Sequence, residues 1–204
     1  MVGANGHGKV VYDVAQRIGI YEEIYFLDDD IKLMKENKLV IGLSGFAFEH
    51  KNDCDVIIAI GNPIHRKRIQ ENFEQNGVNL VTLIHPESVI SEKVAQIGSG
   101  SVIMAGAVIQ TDTKIGKSVI INTSSSIDHE CKIGNYAHIS VGSHLAGNVE
   151  VGDGTWIGIG AIISNNVFIC NDVMVGAGAV VVEDIIESGT YVGVPAKRIK
   201  SYKL

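Results

Sequence analysis

Hydrophobic residues recur every six positions through the second half of the chain. From residue 97 to residue 181 a branched aliphatic residue heads each hexad, and small or β-branched residues follow four positions later, from Ser101 to Ala179. Two inward positions in every six fit neither the stripe of an amphipathic helix nor the alternation of a simple strand. The heads are Ile97, Ile103, Ile109, Ile115, Ile121, Ile127, Ile133, Ile139, Leu145, Val151, Ile157, Ile163, Ile169, Val175 and Val181.

This period predicts a three-sided coil of short parallel strands. Gly and Asn near the corners suit sharp turns, so three hexads close one turn of eighteen residues. Successive turns then stack roughly 4.8 Å apart. Each head lies above the head eighteen positions earlier, which gives a continuous core, and burying one such side chain stabilises the fold by roughly 1.5–3 kcal/mol.

The first half of the chain alternates between strand-like and helix-like patterns. This alternation predicts a small α/β layer whose ligand edge lies at the carboxyl ends of its strands. Only Met1 and Val2 precede Gly3, so the first strand is either shortened or replaced by another segment. The predicted elements are a helix at Lys9–Ile18, strands at Glu23–Leu27, Asp55–Ile60 and Leu80–Ile84, and a helix at Ile64–Gln75.

These patterns divide the chain into four parts. We expect a small α/β domain that binds a ligand over residues 1–84 and a connector over 85–96. The β-helix takes residues 97–182, and a tail over 183–204 follows it.

The predicted ligand edge gathers the loops that follow three strands. Glycines in GANGHG let the backbone approach a ligand, and the helix behind them favours an anion. The spacing differs from the GxGxxG fingerprint, so a plain tight turn is the alternative. Acidic residues that end the second strand can accept hydrogen bonds from a ribose or a base, although a solvated turn also fits. The edge would collect Asn5, Gly6, His7, Asp28, Asp29 and Gly61.

Composition excludes several classes of partner. The net charge of −6 and the pI near 5.6 give no basic surface for nucleic acid or an anionic membrane. Three widely spaced cysteines without a CxxC pair favour a reducing compartment, here the cytoplasm, over a disulfide framework or a cysteine zinc site. No segment reads as a membrane span or a signal peptide.

One segment of the repeat carries candidate chemistry. His129 lies two residues after a head, near a corner, where a histidine can also be merely exposed to solvent. Asp128 and Glu130 flank it, and a carboxylate beside an imidazole stabilises its charged form. Gly147 stacks eighteen residues later, and its bare N–H could face a developing oxyanion.

His138 and His144 raise the alternative of a metal site. Three histidines on a β-helix trimer could hold zinc. These two residues are six positions apart, on neighbouring faces of one turn, so their side chains should diverge. We therefore predict no metal.

Taken together, the motifs resemble one family over essentially the whole chain. They are similar to bacterial nucleotide-amino-sugar N-acetyltransferases and sialic-acid O-acetyltransferases, hexapeptide-repeat enzymes with a Rossmann-like domain before a left-handed parallel β-helix. The left hand comes from the resemblance, since parallel crossovers are otherwise right-handed. The short first strand and a third aspartate after FLDD depart from the family. The motifs are GANGHG, FLDD, AIGN, LIHP, NTSSSIDHECKIGNYAHISVG, HLAGNVEVGDGTWIGIGA and GVPAKRI.

The resemblance implies a role for each candidate residue. His129 would be the general base, Glu130 the residue that tunes it, and Gly147 a donor to the oxyanion. The nucleotide sugar would lie on the six edge residues, and active sites would form between subunits of a homotrimer. The residues that would contact acetyl-CoA are His138, Ile159, Gly178, Lys197 and Arg198.

The resemblance implies N-acetylation of a UDP-4-amino-4,6-dideoxy sugar by direct transfer. Two alternatives stay open at this point. One is O-acetylation of sialic acid or another surface-glycan sugar, because the same base and thioester site would serve a hydroxyl. The other is a metal-dependent or non-catalytic β-helix trimer.

Overall fold

A computed structural model describes residues 1–94 and 96–199 of the chain. Its N-terminal part is a small parallel α/β layer. The sequence pattern did not predict α2, β2 and α3, and α1 begins three residues earlier than expected. The elements are α1 (Gly6–Ile18), β1 (Phe26–Leu27), α2 (Ile31–Glu36), β2 (Val40–Gly42), α3 (Phe46–Glu49) and α4 (Pro63–Gln75).

Parallel pairings set the order of this layer. β2 pairs with β1, Leu27 bridges to Val2, Val2 bridges to Ile58, and Val56 bridges to Leu80. Val2 therefore occupies the place of the first strand, and its N–H donates to the Ile57 carbonyl at 2.8 Å. Val2 therefore lies at the centre of the layer, with β1 and β2 on one side of it and the Val56–Ile58 segment and Leu80 on the other. The carboxyl end of the Val2 position is the switch point of the strand order, where such layers bind ligands.

The rest of the described chain is a three-sided parallel β-helix, the prism. Its strands form three faces, numbered in winding order. The first face contains Leu83–Ile84, Val102–Ile103, Ile120–Ile121, His138–Ile139, Trp156–Ile157, Val173–Val175, Gly189–Val192 and the antiparallel Lys197–Ile199. The second contains Val89–Ile90, Val108–Ile109, Ser126–Ile127, His144–Leu145, Ile162–Ile163 and Val180–Val181. The third contains Gln96–Ile97, Lys114–Ile115, Lys132–Ile133, Glu150–Val151 and Phe168–Ile169.

The predicted core columns are confirmed. Ile121 pairs with Ile139, and Ile157 pairs with both Ile139 and Val175. Every head from Ile103 to Val181 is at most 3% exposed, whereas Ile97 is partly buried. The hydroxyl groups at small inward positions donate to backbone carbonyls, as Thr155 does to Cys170 at 2.8 Å. These inward hydroxyl groups are thus satisfied without water.

Each corner of the prism has its own chemistry. At the corner from the third face to the first, Asn135 N–H donates to Asp153 Oδ1 at 2.7 Å, and Asp153 N–H donates to Asn171 Oδ1 at 2.8 Å. At the corner from the first face to the second, Gly142, Gly160 and Gly178 adopt positive φ, and a Cβ on any of them would meet open space. The corner from the second face to the third contains His129.

The prism includes strands that lie before the predicted start of the β-helix at residue 97. Leu83 and Ile84 pair with Val102 and Ile103, so they belong to the prism and not to a fourth strand of the layer. The expected connector over 85–96 contains a strand at Val89–Ile90 and the first residue of Gln96–Ile97. These residues form the first turn of the prism because the next turn offers them unpaired backbone groups. We propose that the domain boundary lies just before Leu83.

The layer packs on the prism through α1 and α4. Val11, Val14 and Ala15 of α1 form an apolar cluster with Val102 and Ile120 of the first face. α4 runs beside the third-to-first corner. Among residues 1–94 and 96–199, every helix is too short or too polar for a membrane span.

Candidate active site

His129 and Glu130 form a pair at the second-to-third corner. The His129 Nδ1 atom lies 2.9 Å from Glu130 Oε2, and the two side chains are 52% and 62% exposed. A carboxylate can only accept, so Nδ1 carries the hydrogen and Nε2 of the neutral ring keeps a free lone pair. His129 N–H also donates to Asp128 Oδ1 at 2.8 Å, which fixes the backbone beneath the ring.

Gly147 lies directly beneath this imidazole. A Cβ at Gly147 would fall 2.5 Å from both Cε1 and Nε2 of His129, so no larger residue fits without moving the ring. Within the described residues the N–H of Gly147 donates no hydrogen bond. The nitrogen expected to act as the base therefore lies beside an available donor, as the eighteen-residue stacking predicted.

The glycine loop of the layer is shaped by Gly3 and Gly8. Gly3 has a φ of +103°, and a Cβ on Gly8 would lie 2.0 Å from the Gly3 carbonyl oxygen. Gly6 has no such neighbour. Asn5 precedes α1 without capping it through its side chain, so the first turn of the helix keeps N–H groups for an anion.

The two aspartates at this edge hold the loops in place. Asp28 accepts from Ala4 N–H at 2.8 Å, and Asp29 accepts from both the N–H and the hydroxyl of Ser44. Asp30, the third acidic residue, caps α2 by accepting from Lys32 N–H at 2.9 Å. Asp29 is exposed, so it can still accept from a ligand hydroxyl.

His7 and His138 meet where α1 faces the prism. Their ring centroids are 6.4 Å apart, although the sequence assigned them to different ligands. His138 stacks on Trp156 at 4.6 Å, and its Nε2 lies 3.1 Å from the Asn122 side-chain amide. Nε2 of His7 and Nδ1 of His138 are buried without a hydrogen-bond partner among the described residues. Each ring therefore has one nitrogen whose hydrogen-bonding capacity is not used within the described residues.

Both of these imidazoles are neutral at physiological pH. Burial, and after it the nearby Arg66 cation, lowers the pKa of His7 to about 4. The same two causes, followed by His7, lower the pKa of His138 to about 3. Each ring can thus both donate and accept a hydrogen bond.

Four of the five residues expected to contact acetyl-CoA lie along the first-to-second corner and the tail, whereas His138 lies on the first face beside His7. Ile159 is 62% exposed beside the bare glycines of that corner. The tail turn joins it, because Ala196 N–H donates to the Val180 carbonyl at 2.7 Å. Lys197 pairs with Glu183, and Arg198 pairs with Glu187, so acidic tail residues compete for both cations. Residues 200–204 of the predicted tail lie outside the described residues.

One chain does not bring all the predicted residues together. The corner between two faces of a prism is opposite the remaining face. His129 and Gly147 lie at the second-to-third corner, whereas His7 contacts the first face. His129 and the loops at the carboxyl edge of the layer of the same chain are therefore on opposite sides of the prism.

One apolar cavity lies away from both groups. It has a volume of about 310 Å³ and opens at the amino ends of the layer strands, among Met1, Tyr21, Tyr25, Phe46 and Cys54. Parallel layers bind ligands at the opposite edge, so we assign this cavity no role in the site. Among residues 1–94 and 96–199, no three His, Cys, Asp or Glu side chains are grouped to hold a metal ion.

Sequence reasoning missed Asn122, Trp156 and Arg66. Asn122 precedes a run of serines that reads as an ordinary corner, and Trp156 is the single tryptophan in the chain. Its eighteen-residue offset from His138 would have indicated the stacking. Arg66 gave no signal, because its partners are backbone carbonyls distant in sequence.

Comparison with known proteins shows where this arrangement recurs. A family model described as the PglD N-terminal domain matches residues 1–73. The UDP-N-acetylbacillosamine N-acetyltransferase of Bacillus subtilis (strain 168) is 36% identical over 109 residues, which are 52% of this chain and 50% of that protein. The match thus spans about half the length of this curated relative.

Two solved structures match nearly the whole chain. The acetyltransferase domain of PglB from Neisseria gonorrhoeae FA1090, in complex with acetyl coenzyme A, is 40% identical with a TM-score of 0.92 over 97% of each chain. PerB from Caulobacter crescentus, in complex with CoA and GDP-perosamine, is 34% identical with a TM-score of 0.89 over 98% of this chain and 95% of that one.

The fold is therefore that of a hexapeptide-repeat acetyltransferase, and the predicted α/β domain followed by a left-handed β-helix is confirmed. This chain belongs to the family of bacterial nucleotide-amino-sugar acetyltransferases in which a PglD-type N-terminal domain precedes the β-helix.

Proposed function

We propose that this protein transfers an acetyl group from acetyl-CoA to the amino group of a nucleotide-linked sugar of the UDP-4-amino-4,6-dideoxy type. The observation that carries the proposal is the geometry of His129, with Nδ1 held by Glu130 and Nε2 beside Gly147. It supplies a base and an oxyanion donor at one point.

The reaction needs no covalent acyl-enzyme. The sugar nitrogen attacks the thioester carbonyl carbon and forms the new C–N bond, while Nε2 of His129 takes a proton from that nitrogen. The oxyanion that develops faces the Gly147 N–H. When the C–S bond breaks, the proton on His129 passes to the departing thiolate, which restores the base.

The nucleotide would lie at the switch point of the layer. The open first turn of α1 suits the diphosphate, and the exposed Asp29 suits a hydroxyl or a base edge. The unpaired nitrogens of His7 and His138 would orient the sugar where α1 meets the prism. Asn5, Gly6, Asp28 and Gly61 complete this part of the proposed site.

We further propose a homotrimer with each active site shared between two chains. His129 is opposite the layer of its own chain, so a neighbouring copy has to bring its corner to these loops. Apolar side chains exposed on the second face and the first-to-second corner suit such an interface, and they include Val89, Val141, Ile159 and Ile162. Acetyl-CoA would run between copies, past Ile159 and Gly178 toward Lys197 and Arg198.

A panel of acceptors tests the proposal. UDP-, GDP- and dTDP-linked 4-amino sugars and free sialic acid would each be incubated with acetyl-CoA, and release of the CoA thiol would be followed. We expect turnover with at least one nucleotide amino sugar and none with sialic acid. Turnover with sialic acid alone would replace this proposal by O-acetylation, and turnover with none of the acceptors would reject both.

A further inference from the structure

Arg66 is a buried cation whose partners are all backbone carbonyls. It lies on α4 and is 0% exposed. Its Nε donates to Ser118 at 2.8 Å, Nη1 to Ile60 at 2.9 Å and to Gly61 at 2.7 Å, and Nη2 to Tyr136 at 2.5 Å. No carboxylate in the described residues forms an ion pair with it.

This arrangement is a poor way to gain stability. Taking a guanidinium out of water costs several kcal/mol, and an apolar side chain of similar volume often packs at least as well. Burial lowers the pKa of Arg66 to about 10, so the group is still charged at neutral pH. The contribution of Arg66 must therefore come from the two segments of the chain that its hydrogen bonds connect.

The bonds of Arg66 connect the two parts of the chain. Ile60 and Gly61 belong to the loop after the Val56–Ile58 segment, at the switch point of the layer. Ser118 and Tyr136 belong to the third-to-first corner of the prism, and Tyr136 lies two residues before His138. One planar fork therefore sets the distance between a nucleotide loop and the prism strand that presents His138.

Two further residues of α4 extend this polar contact. Gln70 Nε2 donates to the Ser99 carbonyl at 3.1 Å, and Glu74 pairs with Lys117 at 3.1 Å. Arg66, Gln70 and Glu74 are spaced four apart, so they line one face of the helix. Hydrogen bonds are directional, whereas apolar contacts permit sliding. This polar row thus fixes how the layer sits on the prism.

We propose that Arg66 is a positioning residue for the sugar nucleotide, which holds the Gly61 loop at a fixed distance from His138 on the prism. The inference rests on the proposed function for its substrate. Arginine suits the role because its five donors form a rigid plane, whereas lysine has a single point charge on a flexible stem. Arg66 touches no reacting atom.

Steady-state kinetics of Arg66→Lys test the role. We expect KM for the sugar nucleotide to rise roughly 10- to 100-fold, as for loss of charge-assisted hydrogen bonds. KM for acetyl-CoA and kcat should stay close to wild type. Arg68→Lys, an exposed position on the same helix, is the matched control and should change none of these values. An unchanged KM for the sugar nucleotide in a folded Arg66→Lys protein would overturn the proposal.

Amide hydrogen exchange on the free protein gives a readout that needs no substrate. In Arg66→Lys we expect faster exchange in peptides covering residues 3–8 and 56–64, with the prism core around 139–163 unchanged. Equal exchange in both proteins would reject the role of Arg66 even if the enzyme proves active. If no acceptor is turned over but these loops loosen, the proposed function fails and the positioning role stands.

A second variant covers the case in which Arg66→Lys does not fold. Gln70→Leu removes the bonds from Gln70 to the Ser99 carbonyl and to Glu74, and it keeps the volume of the helix face. We expect a smaller rise in KM for the sugar nucleotide and faster exchange in the 56–64 peptide. The absence of both effects would contradict the proposal.

Discussion

The second-to-third corner and the junction of α1 with the first face hold histidines in opposite surroundings. At the corner, His129 is half-exposed and is oriented by its sequence neighbour and by a glycine one turn away. At the junction, His7 and His138 are largely shielded from water, and Arg66, Asn122 and Trp156 surround them. The corner is suited to proton transfer with a mobile substrate, and the junction to rigid orientation by neutral groups.

Replacing His129 should have the largest effect. His129→Ala removes the proposed base and should lower kcat roughly 10²- to 10⁴-fold. Thiol release would measure kcat, calorimetry the acetyl-CoA affinity, and thermal melting the stability. Affinity and melting temperature should hold, because the ring is exposed and packs on little. His65→Ala, at an exposed position on α4, is the control, and near-normal turnover in His129→Ala would exclude His129 as the base.

Gly147→Ala should have the next largest effect. The new methyl group would occupy space within 2.5 Å of the imidazole and displace Nε2 from the donor. We expect kcat to fall about 100-fold, the size of losing one oxyanion donor. Gly45→Ala adds the same methyl group in open space and should leave kcat unchanged. Equal activity of the two variants would show that the ring tolerates displacement.

At the junction of α1 with the first face, we expect the histidines to make the stability of the protein depend on pH. His7 and His138 have folded pKa values below the unfolded value of 6.5, so the unfolded chain binds more protons at mildly acidic pH. The part of the unfolding free energy that depends on these two neutral rings is fully present above pH 6.5. It declines as the pH falls toward the folded pKa values of about 4 for His7 and about 3 for His138. From pH 7 to pH 5 each histidine should contribute a loss of about 2 kcal/mol in unfolding free energy.

Chemical denaturation followed by Trp156 fluorescence measures this loss. His138→Gln, and separately His7→Gln, should flatten the dependence on pH by one histidine's share. Slopes equal to wild type in both variants would mean that these rings are not the groups that titrate.

Mixing His129→Ala with His7→Gln, in which we expect the loss of proton transfer and of sugar orientation respectively to abolish turnover, should give the smallest effect and the most direct test of the comparison. Co-expressed His129→Ala and His7→Gln chains would assemble some sites with an intact corner from one chain and intact loops from the other. Random assembly predicts recovery of about a quarter of wild-type activity, since half of the corners and half of the loops are intact. No recovery in mixed oligomers of confirmed composition would place the complete site within one chain.

Predictability from sequence differed between these regions for a physical reason. The Gly147 position followed from counting eighteen residues, because each prism residue stacks on a fixed neighbour. The first prism turn was missed at Leu83 and Val89, where the hexad heads are less regular. The acidic residues Asp28 and Asp29 were found at the right edge, but their bonds to Ala4 and Ser44 depend on how loops fold back.

The sequence by itself determined the prism, its core columns, the corner that carries His129 and the two long helices of the layer, α1 and α4. These features depend on local periodicity, in which each residue meets neighbours at a constant offset. Only the tertiary structure decided that His7 meets His138, that Arg66 joins the layer to the prism, and that His129 is opposite the layer of its own chain. Those contacts arise because the layer and the prism pack at one angle. Hydrogen bonds from a side chain to backbone carbonyls leave no pattern in the amino-acid sequence.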